Sequence, residues 1–366
     1  MTKPIASRRS AALFLVVAIL TGSSLAGGQA PEDRRLAAKA FRAAVARVEP
    51  SMVVIETYGG VSIPATTGRR HGPRRGRRRR IRPVAKPGEG PTTGLIVSPD
   101  GHILTSTFNF LRQPPVITVV LADGSRHVAT LLGRDNTRKL CLLKIDGVAD
   151  LPVPVLTRRE QLKVGQWAIS AGFGYGGDEP ALSAGIISAV SRMAGKAVQT
   201  DANISPANYG GPLVDIEGRV IGLCVPLSPR HQGPAGGVAW YDSGIGFAIP
   251  LDGLDPILEQ MKAGKTIEPG KLGVVPARQP AKGGGVTVRQ VQKGSGAEKA
   301  GIQAKDVIVA LDGRKTLNVL TLRRLLARHV AGDRVTVTVR RGEKTLQLEV
   351  TLTAGDEARA RPPGSP

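Results

Sequence analysis

GLIVSPDGHILTS (94–106) decides the fold: two apolar runs, 95–97 and 103–104, meet at an Asp100-Gly101 pair. Asp-Gly between apolar runs is the strongest short-range signal for a β-hairpin. The pattern recurs in VITVVLADGSRHVATLLG (116–133), whose turn is Asp123-Gly124, and LCLLKID (140–146) follows as another apolar strand. QWAISAG (166–172), SAGIISAVS (183–191), GPLVDIEGRVIGLCVPL (211–227) and GIGFAIP (244–250) continue the series. Many short strands, Gly/Pro/Asp turns and few helices indicate a closed barrel or a sandwich, and the span from about 93 to 250 fits one or two small β-barrels. The 46 glycines and 27 prolines of the chain agree with such a turn-rich fold.

Working outward, LDGLDPILEQMKAGK (251–265) predicts a closing helix and TIEPGK (266–271) a linker. Beyond it, LGVVPARQ and VTVRQVQ predict strands, AEKAG a helical turn ending at Gly301, and DVIVALDG a strand with its turn. TLRRLLARHV predicts an amphipathic helix with Leu322, Leu325, Leu326 and Val330 on one face, and VTVTVRRGEKTLQLEVTL a hairpin. These segments make a compact α+β module, with a frayed tail after it. On the other side of the barrels, PEDRRLAAKAFRAAVARVEP predicts an amphipathic helix carrying Leu36, Phe41, Val45 and Val48, closed by Pro50.

The N-terminus reads as an export address. Lys3, Arg8 and Arg9 precede the apolar run 11–20, and Ser24 and Ala26 sit at −3 and −1 of a cleavage point. The run is too short to span a bilayer comfortably. The chain of 366 residues carries 51 Lys+Arg against 29 Asp+Glu, a net charge of +22 that falls to about +19 once three basic residues leave with the signal. Nine arginines and one lysine, with no acid, crowd the segment from Arg69 to Lys86, which predicts a solvated loop. Aromatic residues are only 3% of the chain, which argues against a nucleic-acid reader built on stacking platforms. Two cysteines, Cys141 and Cys224, exclude a disulfide-dense scaffold and a four-thiolate zinc site.

In this order the segments resemble the HtrA family, exported trypsin-like serine proteases with one or two PDZ domains. The resemblance rests on GLIVSPDGHILTS, VVLADGS, LLGRDNTRKLCLLKID, LKVGQWAISAG, SAGIISAVSR, TDANISPANYGGPLVDIEGRVIG and GIGFAIP, then on KLGVVP and KGSGAEKAGIQAKDVIVALDG, and it covers about residues 35 to 353. It implies a mainly β fold: a trypsin-like double β-barrel followed by a small α+β PDZ domain. The divisions expected are a signal peptide over 1–26, a protease domain over 31–264 with an Arg-rich loop over 68–90, a PDZ domain over 270–354 and a disordered tail over 355–366. The family cleaves unfolded or damaged proteins with a Ser-His-Asp triad between its barrels. A serine hydroxyl is a weak nucleophile until an imidazole takes its proton, and a carboxylate must hold that imidazole in the right tautomer.

All three matching positions are changed. The histidine place, three residues after the Thr of ILTSTFNF, holds Phe108; the aspartate place in TRKLCLLKID holds Lys139; and the serine place in ANYGGPL holds Tyr209. Phe108 does not titrate, Lys139 reverses the charge, and Tyr209 is a bulky phenol with a reference pKa near 10. The oxyanion-hole equivalents are the amides of Ala207 and Tyr209, and Ala207 replaces a glycine that accepts positive φ. The remaining histidines, His71, His102, His127, His231 and His329, read as exposed surface residues, and Cys141 and Cys224 as buried thiols inside apolar strands. No HExxH or His/Asp cluster points to a metal, so neither metal nor cofactor is expected.

The expected reading is a pseudoprotease: an exported, periplasmic or extracellular scaffold that binds peptides. By resemblance, Lys271, Leu272, Gly273 and Val274 form the loop that takes a terminal carboxylate, and Leu322 helps wall a pocket for an apolar C-terminal residue. Arg69, Arg70, Arg74, Arg75, Arg77, Arg78, Arg79, Arg80 and Arg82 would grip an anionic partner without sequence readout: polysaccharide, lipid headgroup or nucleic acid. A homotrimer, or an assembly with an active paralogue, is expected from the family. The alternatives are an active endopeptidase on unfolded extracytoplasmic proteins and a nonspecific polyanion binder.

Overall fold

The computed structural model describes residues 30–59, 91–111, 113–174, 176, 179–227, 244–279, 281 and 283–354; the predicted signal, Arg-rich loop and tail lie outside them. Helix α1 (Ala30–Val48) leads into the first barrel: β1 (Met52–Tyr58), β2 (Thr92–Ser98), β3 (His102–Ser106), β4 (Val116–Val120), β5 (Arg126–Asp135) and β6 (Leu140–Ile145). Their order β5-β4-β1-β2-β3-β6 closes through β5–β6 pairing. A second closed barrel, ordered β10-β11-β12-β9-β8-β7, comprises β7 (Trp167–Gly172), β8 (Ala181–Arg192), β9 (Ala197–Thr200), β10 (Pro212–Val214), β11 (Val220–Cys224) and β12 (Gly246–Pro250). The fold is thus mainly β, as the hairpin signals predict.

Period-two alternation explains how the barrels pack. In β6, Cys141, Leu143 and Ile145 fill the first barrel, whereas Leu140 and Leu142 point into a cluster shared with Ile169, Val214 and Leu223 of the second. Leu95 and Leu104 join the same shared cluster while their neighbours Ile96 and Ile103 turn inward. Helix α1 seals it with Ala44, Val45 and Val48, and Phe41 meets Trp167 edge-on with ring centroids 5.1 Å apart. Each buried aliphatic side chain of this kind contributes about 1.5–3 kcal/mol.

Helix α2 (Asp255–Lys262) packs its Met261 into the shared cluster. The predicted linker is not slack. Thr266–Ile267 forms β13, parallel to β5, and the Asn136 amide donates to the Ile267 carbonyl at 2.9 Å. Four residues on, Lys271 bridges Thr353 and Pro269 bridges Val330. The C-terminal module then follows: β14 (Val274–Pro276), β15 (Val286–Val291), α3 (Gly296–Lys299), β16 (Val307–Leu311), β17 (Arg314–Lys315), α4 (Val319–Leu326), β18 (Arg334–Arg341) and β19 (Lys344–Thr351). Its sheet runs β14-β15-β16-β18-β19, which leaves β14 on an edge. Helix α4 stops at Leu326, so Val330 is not on its apolar face but in the bridge to Pro269. Among the described residues no helix is long and apolar enough to cross a membrane.

Candidate functional site

Phe108 stands on a short 3-10 turn, Thr107–Phe110, that follows β3 and is capped by Ser106, whose Oγ accepts from the Phe108 amide at 3.2 Å. Lys139 ends an Asp-anchored turn: Asp135 Oδ1 accepts from the amides of Thr137 (2.8 Å) and Arg138 (3.1 Å), and Oδ2 from the Arg138 guanidinium at 2.7 Å. Lys139 itself lies in the left-handed region, φ 63°, and its carbonyl accepts from the Thr107 amide at 2.9 Å. The two turns are thereby locked together. Tyr209 comes from the second barrel, on the turn between Ser205 and Gly211. Gly210 follows it at φ +88°, where an added Cβ would lie 2.2 Å from the Thr93 carbonyl, so only glycine fits.

Phe108 and Tyr209 meet edge-to-face, ring centroids 5.1 Å apart and planes at 72°. Phe108 is 4% and Tyr209 2% exposed, and both belong to the interior cluster of the second barrel, with Ile187, Leu213 and Ala248. A residue of the first barrel therefore completes the core of the second. Asn109 ties the same junction, its amide donating to Thr105 Oγ1 at 2.9 Å and to the Tyr209 carbonyl at 3.4 Å. Lys139 is 8% exposed.

Of the two rings that meet here, that of Phe108 carries no titratable atom and that of Tyr209 carries a buried phenol. By the resemblance set out above, these are the residues expected where proton transfer to and from an alcohol would be needed. Ala207 is not among the residues of positive φ. Its amide donates to Ser205 Oγ at 3.3 Å and its carbonyl accepts from the Gly174 amide at 3.0 Å, so that donor is engaged by its own turn rather than aimed at a developing oxyanion.

The other titratable residues sit elsewhere. His102 is 9% exposed rather than on the open surface: it lies in β3 with Nδ1 2.9 Å from Asp100 Oδ1. Asp100 is held down to about 2, first by the Ser98 hydroxyl and then by His102. Half-buried His127 pairs with Ser125 (Nε2 to Oγ 3.1 Å), a Ser–His contact that sequence reading missed. The nearby Asp123 accepts from the Ser125 amide, which caps the β4–β5 turn instead of orienting the imidazole. His329, also half-buried, lies between Asp312 (3.2 Å) and Asp333 (3.5 Å). His71, His231 and the nine arginines lie outside the described residues. Cys141 and Cys224 are unpaired and occupy different barrels; burial pushes the Cys141 thiol up to about 12 and raises Cys224 as well. Among the described residues no three His, Cys, Asp or Glu group to hold a metal.

A second candidate site lies at the edge of the C-terminal module. Lys271 exchanges two main-chain bonds with Thr353, the Leu272 carbonyl accepts from Ala297, and the Gly273 carbonyl from Gln292. All three carbonyls are used inside the module, whereas the amides of Leu272 and Gly273 have no protein acceptor among the described residues. Gly273 has φ +83°, and a Cβ there would sit 2.1 Å from Ser295 Cβ. The side chains of Leu272 and Leu322 are 2% and 4% exposed in the module's core, so Leu322 is no pocket wall; half-buried Val274, Val319, Leu325 and Leu326 pack beside them. Helix α4 runs antiparallel to β14. Its leading end is tied by Leu317 to Gly285 and its trailing end by His329 to Gly270, just before the loop.

Comparison with known proteins bears on both sites. Residues 92–223 match the trypsin-like peptidase domain and residues 261–352 the PDZ domain. A probable periplasmic serine endoprotease, DegP-like, of Pseudomonas fluorescens is 34% identical over 276 residues, 72% of this chain and 56% of that protein. The counterpart of Chlamydia trachomatis is 31% identical, with 71% and 53% covered. The chain thus spans about half the length of these relatives. That of Pseudomonas fulva is 31% identical over 98% of this chain and 78% of its own length. Among solved structures, the HtrA-type protease AlgW with a decapeptide superposes at TM-score 0.60 and 25% identity, covering 88% of this chain and 99% of that one. The serine endoprotease of Yersinia pestis gives 0.61 and 25%, with 86% and 98% covered.

Proposed function

The chain belongs to the HtrA family of trypsin-like peptidases with a PDZ domain, and on that premise we propose that it is a non-catalytic member, an exported periplasmic scaffold that binds peptides. The observation that carries the reading is the buried Phe108–Tyr209 pair at the junction of the barrels. Hydrolysis needs an imidazole to take the proton of an attacking alcohol and a carboxylate to hold that imidazole. Phe108, Tyr209 and Lys139 supply none of these functions, and removing such a triad costs on the order of a millionfold in turnover. Capture of peptides falls to the edge of β14, with the terminal carboxylate on the amides of the loop 271–274 and an apolar last residue against α4. The relatives' names, all endoproteases, favour a working peptidase instead.

The test is direct. The mature protein, treated with a fluorophosphonate probe and offered an unfolded protein such as reduced casein, should show neither labelling nor cleavage. Labelling at a serine together with turnover would overturn the proposal. The Arg-rich segment is proposed to hold polyanions through counterion release. Deleting residues 69–82 should sharply lower the salt needed to elute the protein from heparin, and unchanged elution would remove that part. Assembly as a trimer, alone or with an active paralogue, is part of the same proposal.

A further inference from the structure

We infer that the β14 groove holds the last residue of a bound chain more firmly than the residues before it, because Pro276 removes one of the two main-chain bonds that would hold them; this rests on the peptide-binding role proposed above. The alternation of β14 shows which groups face outward. The Gly273 carbonyl accepts from Gln292 at 2.8 Å and the Ala277 amide donates to Thr287 at 2.8 Å, so both point toward β15. Val275 lies between them opposite Gln290 and shares their direction, which leaves Val274 and Pro276 facing the open edge.

In an antiparallel pair an outward residue exchanges two bonds with the residue opposite it. Val274 offers both a donor and an acceptor. Pro276 offers a carbonyl alone, because its ring replaces the N–H. A chain entering with its carboxylate on the amides of Leu272, Gly273 and Val274 places its last N–H on the Val274 carbonyl. Two residues back, its N–H reaches the Pro276 carbonyl, but its own carbonyl faces the proline ring unbonded. The occupant is therefore a free C-terminus whose final residue is apolar, to suit Val274, Leu325 and Leu326, and whose upstream residues are held by one main-chain bond fewer. Exposed Arg323, Arg324 and Arg328 on and just beyond α4 favour the approach of its carboxylate. The rival account is that Pro276 only guards an edge strand against pairing with another sheet.

Competition for a fluorescein-labelled decapeptide ending in Ala-Ala-Leu, with the full mature chain, separates these. The competitors are the unlabelled decapeptide as free acid, the same peptide amidated, and N-acetyl-leucine, which stops short of the third residue. Pro276→Ala restores one donor, and one net hydrogen bond is worth about 0.5–1.5 kcal/mol, so affinity for the free-acid decapeptide should rise about two- to twelvefold. N-acetyl-leucine should show no such rise. If the amidated and free-acid decapeptides compete equally, the groove itself is not a carboxylate reader and the parent proposal fails with this one. If the free acid wins but Pro276→Ala leaves its affinity unchanged, or raises both competitors alike, the groove stands and the weak hold attributed to Pro276 is overturned.

Discussion

The junction between the barrels and the outer edge of β14 make opposite use of the same kind of material. At the junction, apolar side chains from two barrels close on each other, and the Phe108–Tyr209 contact leaves both rings almost without solvent. At the edge, Val274 and Pro276 keep main-chain groups turned outward and the neighbouring apolar residues only half-covered. On the proposal made above, the first region is a place for chemistry turned into core and the second a place kept for docking.

The sharpest way to break this contrast is to reopen the junction. Tyr209→Ser removes a large buried ring from the second barrel and should destabilise the protein by about 3–5 kcal/mol, read from urea denaturation. The triple change Phe108→His, Lys139→Asp, Tyr209→Ser should lose still more stability, because it also buries an imidazole and a carboxylate in an apolar cluster. It should regain only trace cleavage of casein while the Ala207 amide stays bonded to Ser205. Peptide competition at the β14 edge should be unchanged by Tyr209→Ser under conditions where the variant is folded. Stability lost by less than 1 kcal/mol, or peptide affinity lost in step with it, would dissolve the distinction between the two regions.

A smaller effect probes the seam between them. Lys196 is pulled down to about 8, first by burial and then by the neighbouring charge of Arg138, against the opposing pull of Asp135 and Asp333. Its folded value lies below the ordinary lysine value near 10.4, so the unfolded chain holds the extra proton between the two. Stability from this group therefore rises as pH climbs from about 8 to 10.4, and below 8 the charged lysine is a standing penalty. Lys196→Met should raise the melting temperature at pH 7 by a few degrees and flatten the rise above pH 8. A lower melting temperature at pH 7 would show that the attraction to Asp135 and Asp333 outweighs burial.

Much of this was legible in the amino-acid order, and the rest has identifiable causes. The Asp-Gly turns and the alternation in 140–145 lead to the hairpins and barrel strands, because period-two burial is a local property. That Phe108, Lys139 and Tyr209 stand at the triad places is part of the proposal and rests on the resemblance. What was hidden depended on tertiary contact. Two residues of β13 carry no periodicity of their own, and only β5 makes them a strand. Helical spacing groups Leu322 with Leu325 and Leu326 but does not separate a core position from a groove wall. Nor does the motif around Phe108 announce that its ring leaves its own barrel for the interior of the other. For His102, likewise, a place next to a turn predicts exposure, yet its ring is folded back onto Asp100.

The stitching along 266–271 has a mechanical meaning. Ile267 is bonded to the turn that carries Lys139, Glu268 receives the Ala331 amide, and Gly270 and Lys271 are bonded to His329 and Thr353. The PDZ domain is consequently hung from the barrels by a stiff strut and not by a tether. These links run through paired main chain, from the turn at Asn136 to the strand at Thr353.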